Sequence, residues 1–335
     1  MKKNNLIGAC VLALFVFSTL LIGCGSSSPS AQPTAKKPII LKASDNQPDD
    51  YPTVVALKYM AKLIGEKSQG HIEMQVYSGA QLGGEKETIE MTQMGTIAIN
   101  RINTAPLVGF VPRMGAFSMP YVFRDAEHLW KVLDSPIGKE ITKELEKSNL
   151  IGLAYYDSGA RSFYTKNKAI NTPADGAGQK LRVQQSKIFV ETVNALGASA
   201  TPMGYGEVYS GLQTGIIDGA ENNPPSLWSM KHYEVCKYYA LDEHSRVPEI
   251  VMMSKKVWDS LTPDDQKIVA EAAIESAVYQ KKLWAEFTEK SMKELQAKGV
   301  IISNPDKELF RQAVAPMYEK FPEYKQTISD IQAVK

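Results

Sequence analysis

Between Pro263 and Gly299 the chain carries neither glycine nor proline, and this interval constrains the fold more than any other feature. Thr262 offers an N-cap, Pro263 the first helical position and Asp265 an acid three residues after the cap, a combination that starts a helix firmly. An unbroken helix from there would run about 37 residues and roughly 55 Å, longer than one small domain is wide. Either two helices meet at an unmarked kink, or a single rod lies across two domains and constrains their hinge.

Upstream of the rod, strand-like and helix-like pieces alternate. IILKA and HIEMQVY read as strands, and Pro52 to Gln69 between them has helical apolar spacing that closes on Gly70. A helix after Gly84, a strand TIAIN, one helix from Asp125 to about Lys147 and a strand LIGLAYY continue the pattern. Strands at SFYT and KLRV, a helix from Ser186 to Leu196 and a helix through EVYSGLQT follow. Such alternation predicts an α/β fold with mostly parallel or mixed sheets, covered by helices and binding ligands at strand C-termini.

The first residues, MKKNN, precede an apolar run from Leu6 to Ile22 that ends in LIGC, with Cys24 last. A charged n-region, an apolar h-region and small residues at the cleavage point make a signal peptide over residues 1–23. Residues 24–37 are rich in Ser, Pro and Ala and form a flexible tether with too little apolar surface for a core. Loss of 1–23 removes two lysines and no acids, so the formal charge moves from +1 to −1 and no field for steering nucleic acid is expected. Of three cysteines only Cys236 belongs to the mature body, which excludes an intramolecular disulfide there; its apolar surroundings predict a small buried residue.

Two arginines twenty-one residues apart carry the functional signal, Arg161 in SGARSFYT and Arg182 in QKLRVQ, followed by DGAENNPP at Asp218–Pro225. A guanidinium at a buried strand end binds a carboxylate in two-pronged, oriented fashion. A single arginine at a strand end is more often solvated or half of an ion pair. Here Asn222, with donor and acceptor, and the ring of Tyr205 fall in the same stretch and point to a small organic anion.

These strings resemble one family closely: the extracytoplasmic solute receptors of tripartite ATP-independent periplasmic (TRAP) transporters, of DctP type. The resemblance runs from EKSQGHIEMQVYSGAQLGG through SGARSFYT, KLRV, GASATPMGYGEVYSGLQTGIIDGAENNPPS and KHYEVCKYYALDEHSRVPE to the LTPDDQK helix. It implies a two-lobed periplasmic-binding-protein fold, type II-like, with a hinge and one long helix spanning both lobes. The lobes it implies are 38–158 with 248–287, and 159–247 with 288–330. It also implies that Arg182 pairs with the ligand carboxylate, that Arg161 adds a second cationic contact, and that Asn222 contacts the same region. Tyr205 would pack on the ligand and His244 would stand near its water network. Asn46 matches a polar contact of the opposite lobe. Arg101 stands where some relatives carry a carboxylate, so it either alters which ligand groups are accepted or adds an anion contact. Glu221 either accepts sugar hydroxyls or is a buried carboxylate paired with a base. LIGC resembles a lipobox, which implies lipidation of Cys24 and an extracytoplasmic protein anchored to a membrane.

Arg101, ENNPPS and EHSRVPE together resemble members that bind sugar acids such as glucuronate or galacturonate; four-carbon dicarboxylates and sialic acid are the alternatives within the family. The implied partners are membrane permease subunits, with no cofactor and no nucleic acid. The rival from another class is a secreted enzyme acting on carbohydrate acids. Against it, the chain has no HExxH, P-loop or CxxC, its SDN at Ser44–Asn46 lacks the SxxK and KTG companions, and its four histidines lack metal-ligand spacing. Gly83 and Gly84 before a helix would serve either as anion-facing amides or as a tight turn.

Overall fold

A computed structural model describes residues 37–335; the leader, Cys24 and the tether up to residue 36 lie outside that range. The chain first builds β1 (Ile39–Ser44), α1 (Pro52–Lys67), β2 (Ile72–Tyr77), α2 (Glu85–Met94), β3 (Ile99–Asn103), α3 (Ala126–Asp134), α4 (Pro136–Lys143) and β4 (Leu150–Tyr156). It then crosses to β5 (Arg161–Thr165), β6 (Lys180–Val183), α5 (Lys187–Ala195), β7 (Ser199–Pro202), α6 (Val208–Thr214), β8 (Gly219–Asn222), α7 (Pro224–Ser229) and β9 (Tyr238–Ser245). It returns through β10 (Glu249–Ser254), α8 (Lys255–Trp258) and α9 (Pro263–Ala297), and ends with β11 (Ile301–Ser303), α10 (Lys307–Val314) and α11 (Lys325–Ala333).

Two mixed sheets result, ordered β2-β1-β3-β10-β4 and β11-β9-β5-β8-β6-β7. In the first, β10 runs antiparallel to both neighbours; in the second, β5 does. The first sheet buries Leu41, Ala43, Ile72 and Val251 against Leu57, Met60 and Ile64 of α1 and Val269, Ala272 and Ala273 of α9. The second buries Tyr164, Ala220 and Tyr239 with Val208 and Leu212 of α6 and Leu295, near the far end of α9. One helix of 35 residues thus contributes to both cores, and the rod reading is the one that holds. Its start is capped as the sequence suggests, with the Thr262 hydroxyl accepting from the Asp265 N–H at 3.2 Å.

The chain passes between sheets at Asp157–Ala160, at Arg246–Pro248 and along α9. Gln280, buried on α9, holds the first crossing at both backbone groups of Asp157: its Oε1 accepts from the N–H at 2.8 Å and its Nε2 donates to the carbonyl at 2.9 Å. Gly159 follows with φ +61°, where an added Cβ would come within 3.1 Å of Trp284 Nε1. A third core joins the lobes: Phe117, Leu129 and Ile250 cluster with Phe163, Phe189 and Val193 and with Phe310 and Ile331 of the terminal helices. Helix α10 packs on α5 and β9, whereas α11 crosses back to α4 and the 112–118 turn of the first lobe.

Two elements differ from expectation. The helix foreseen over Asp125–Lys147 breaks at Ser135, because Pro136 has no N–H to continue α3 and instead occupies the first turn of α4. The strand read at TIAIN starts at Ile99 and extends to Asn103, drawn on by antiparallel pairing with β10. That extension places Arg101 and Asn103 in the sheet, two residues apart and so on one face.

Candidate ligand-binding cleft

Both sheets present polar residues to one hollow. From the first come the loop after β1, with Asp45, Asn46 and Gln47; Arg101 and Asn103 on β3; and Glu249, which opens β10 opposite Asn103. Glu85, the first residue of α2, reaches the same place, its Oε1 accepting from the Asn103 N–H at 2.9 Å. From the second come Arg161 opening β5, Arg182 within β6, Tyr205 before α6, and Asn222 closing β8. Asn46, Glu85, Arg182, Gln184 and Tyr205 line both a cleft of about 460 Å³ and a small inner chamber of about 20 Å³ where all three arginines meet.

Each arginine is buried and each is held differently. Arg101 donates from Nε to Asp45 at 2.9 Å, from Nη1 to Glu249 at 2.7 Å and from Nη2 to Asn46 Oδ1 at 2.7 Å, with a further short contact from Nη2 to Asp45. Arg161 grips Glu221, Nε to Oε2 at 2.5 Å and Nη2 to Oε1 at 2.9 Å, and donates from Nη1 to Asn222 Oδ1 at 3.0 Å. The face of Phe189 lies 5.4 Å from its guanidinium carbon. Arg182 has only a carbonyl: Nε and Nη2 both donate to Met203 O, at 3.0 and 2.8 Å. Among the described residues no carboxylate lies within ion-pair distance of Arg182, and no protein acceptor takes its Nη1. Burial pulls its pKa below the ordinary arginine value, whereas the acids beside Arg101 and Arg161 raise theirs against the same burial. A buried charge with no partner is costly, and an incoming carboxylate relieves that cost.

The remaining expected residues separate into two groups. Asn46 and Tyr205 line the hollow; the Tyr205 ring lies 5.7 Å from the Arg182 guanidinium carbon and its buried hydroxyl accepts from and donates to no protein group. Asn222 lines the inner chamber. Glu221 and His244 do not line either space: Glu221 is occupied by Arg161, and His244 stands behind it, Nε2 to Oε2 at 3.6 Å, with Nδ1 on Asp242 at 2.7 Å. His244 thus lies behind the Arg161–Glu221 pair, with Glu221 and Asp242 as its neighbours. Burial alone would lower the His244 pKa, but the Asp242 and Glu221 carboxylates raise it to about 9, so the ring is an imidazolium at neutral pH, stacked 4.4 Å from Phe163. Arg101 likewise spends most of its donors on protein acids.

Sequence reasoning missed Glu85, Asn103, Gln184 and Glu249. Two local signals point to the first two: Glu85 adjoins the Gly83–Gly84 pair, and Asn103 shares a strand face with Arg101. Burial, then the neighbouring Glu249 charge, pushes Glu85 up to about 7 against the opposing pull of Arg101, the Asn103 N–H and Arg182. Gly83, at φ +120°, and Gly84, the N-cap of α2, line the outer cleft.

A two-lobed α/β body with a buried, unpartnered guanidinium in an interlobe cleft is the anatomy of a binding protein for small anions. Residues 43–324 match the model of the family described as bacterial extracellular solute-binding protein, family 7 (DctP). A "solute-binding protein" from Chromohalobacter salexigens is 38% identical over 290 residues, covering 85% of this chain and 86% of that one. A TRAP periplasmic solute-binding protein from Xanthobacter autotrophicus, solved with bound β-D-galacturonate, superposes with TM-score 0.85 at 43% identity over 88% of this chain and 100% of that chain. One from Pseudomonas putida, with bound D-glucuronate, gives 0.86 at 39% identity over 89% and 98%. The chain belongs to the DctP family of TRAP solute-binding proteins, a family that binds and does not catalyse.

Proposed function

We propose that this protein captures a hexuronate, glucuronate or galacturonate, and hands it to the permease subunits of a TRAP transporter. The observation that carries the reading is Arg182, the buried cation of the cleft that lacks a counter-charge. A carboxylate there gains a charge-assisted pair of about 1.5–3 kcal/mol. Micromolar affinity needs about −8 kcal/mol, so hydroxyl contacts with Asn46, Asn103, Gln184 and the acids of the first lobe supply the rest. The outer cleft, at about 460 Å³, has room for one hexose-sized molecule. Ligand contacts from both lobes favour a closed arrangement, with Asp157–Ala160 and Arg246–Pro248 as the hinge strands. Arg161, Asn222 and Tyr205 shape the carboxylate end, while Arg101 holds the opposite wall. The bound galacturonate and glucuronate of the similar structures support the ligand class. The protein works in the extracytoplasmic space, held to a membrane by lipid on Cys24, with lobes at 38–158 plus 248–287 and 159–247 plus 288–330.

A thermal-shift screen against uronates, aldonates, dicarboxylates and sialic acid tests this. A true ligand at a hundredfold excess over its Kd adds about 2.7 kcal/mol of stability. Uronates are expected to produce that shift and Arg182→Ala to abolish it; turnover of a uronate by the pure protein would favour the enzyme instead.

A further inference from the structure

The inner chamber is lined by three guanidinium groups, Arg101, Arg161 and Arg182, and by the carboxylates of Glu85 and Glu249, with Asp45 and Glu221 paired behind the arginines. Asp45 and Glu249 already neutralise Arg101, and Glu221 neutralises Arg161. Among the described residues Arg182 alone of the three has no carboxylate paired with it, and an incoming carboxylate would pair there. On the first-lobe wall two of the acids stand on either side of Asn103, whose backbone N–H donates to Glu85 at 2.9 Å and whose Nδ2 donates to Glu249 at 3.2 Å. The second oxygen of Glu85 accepts from no donor among the described residues, and Glu85 lines both the cleft and the inner chamber. Arg182 lines the same inner chamber as this acid pair, so a molecule with its carboxylate on Arg182 would place its other polar groups against them.

We infer that Glu85, with Glu249 behind it, makes the cleft selective for polyhydroxy acids bearing a single carboxylate and rejects their counterparts with a carboxylate at both ends. Hydroxyls donate to the two acids; once both acids are ionised they repel a second carboxylate, which brings acceptors where acceptors already stand. This rests on the uronate reading above and adds which end of the ligand is discriminated, and by what.

The matched probes are a uronate and the aldarate with the same hydroxyl configuration: galacturonate with galactarate, and glucuronate with glucarate. Each aldarate carries a second carboxylate in place of the uronate's anomeric carbon and is open-chain where the uronate closes to a pyranose, so the matching aldonate, open-chain with one carboxylate, is titrated beside each pair to separate the loss of the ring from the added charge. Titration calorimetry on the purified protein at pH 8, with wild type, Glu85→Gln and Glu249→Gln, gives the ratio of aldarate to uronate Kd. The expected ratio in the wild type is at least about a hundredfold. Glu85→Gln should narrow it at least about tenfold, because the amide offers an N–H where the carboxylate offered only lone pairs. A general loss of binding cancels in the ratio, and Glu249→Gln, expected to narrow it as well, provides the second arm. Near-equal Kd values in the wild type, tighter binding of the aldarate, or an unchanged gap in both variants would overturn the inference while leaving a uronate receptor in place. If neither uronate binds, the functional reading itself fails and this selectivity falls with it.

Discussion

Arg161 and Arg182 carry the same group in the same wall, yet their surroundings assign them opposite energetic roles. Arg161 is half of a buried pair, so Arg161→Ala leaves Glu221 in the interior without its guanidinium, with only the His244 ring 3.6 Å away. That should cost about 3–5 kcal/mol of unfolding free energy in a denaturant titration. Arg182 has no acid to strand, so Arg182→Met should leave the ligand-free protein at least as stable as wild type in the same titration. A large loss for Arg182→Met would mean that the guanidinium is a structural brace. Both arginines were visible in the sequence as charges at the ends of apolar runs. Their difference was not, because the partners that settle it are remote: Glu221 lies 60 residues from Arg161, and Asp45 and Glu249 lie 56 and 148 from Arg101. Local pattern carries no information about a pairing that only tertiary contact creates.

At the scale of elements the long helix was the most legible part, since an interval without glycine or proline and with a capped start leaves few other outcomes. What lay hidden was its attachment. Gln280 reads as an ordinary polar helix residue, yet it is fully buried and satisfies both backbone groups of Asp157 where the chain leaves the first sheet. Gln280→Ala should therefore cost about 1–3 kcal/mol, the range for leaving buried backbone groups unmatched, measurable by urea unfolding. A loss below a few tenths would show that the clamp contributes nothing. The shift of β3 from TIAIN to Ile99–Asn103 shows the opposite case: a five-residue pattern misplaced a strand whose ends are set by pairing with β10, some 150 residues on.

For the whole molecule, two sheets joined by crossings at 157–160 and 246–248, one rod and a shared core yield a body whose polar interior opens between its halves. The alternating grammar of strands and helices announced the sheets and the resemblance announced the cleft; the acids on the first-lobe wall emerged only when β3 and β10 were seen side by side. The central claim is that one unneutralised guanidinium receives the ligand carboxylate. A crystal structure of the protein with galacturonate tests it most directly. Carboxylate oxygens are expected within about 3 Å of Arg182 Nη1 and Nη2, with sugar hydroxyls on Glu85 and Asn103. A carboxylate seated on Arg101 or against Gly83–Gly84, with Arg182 still bonded to the Met203 carbonyl alone, would contradict it.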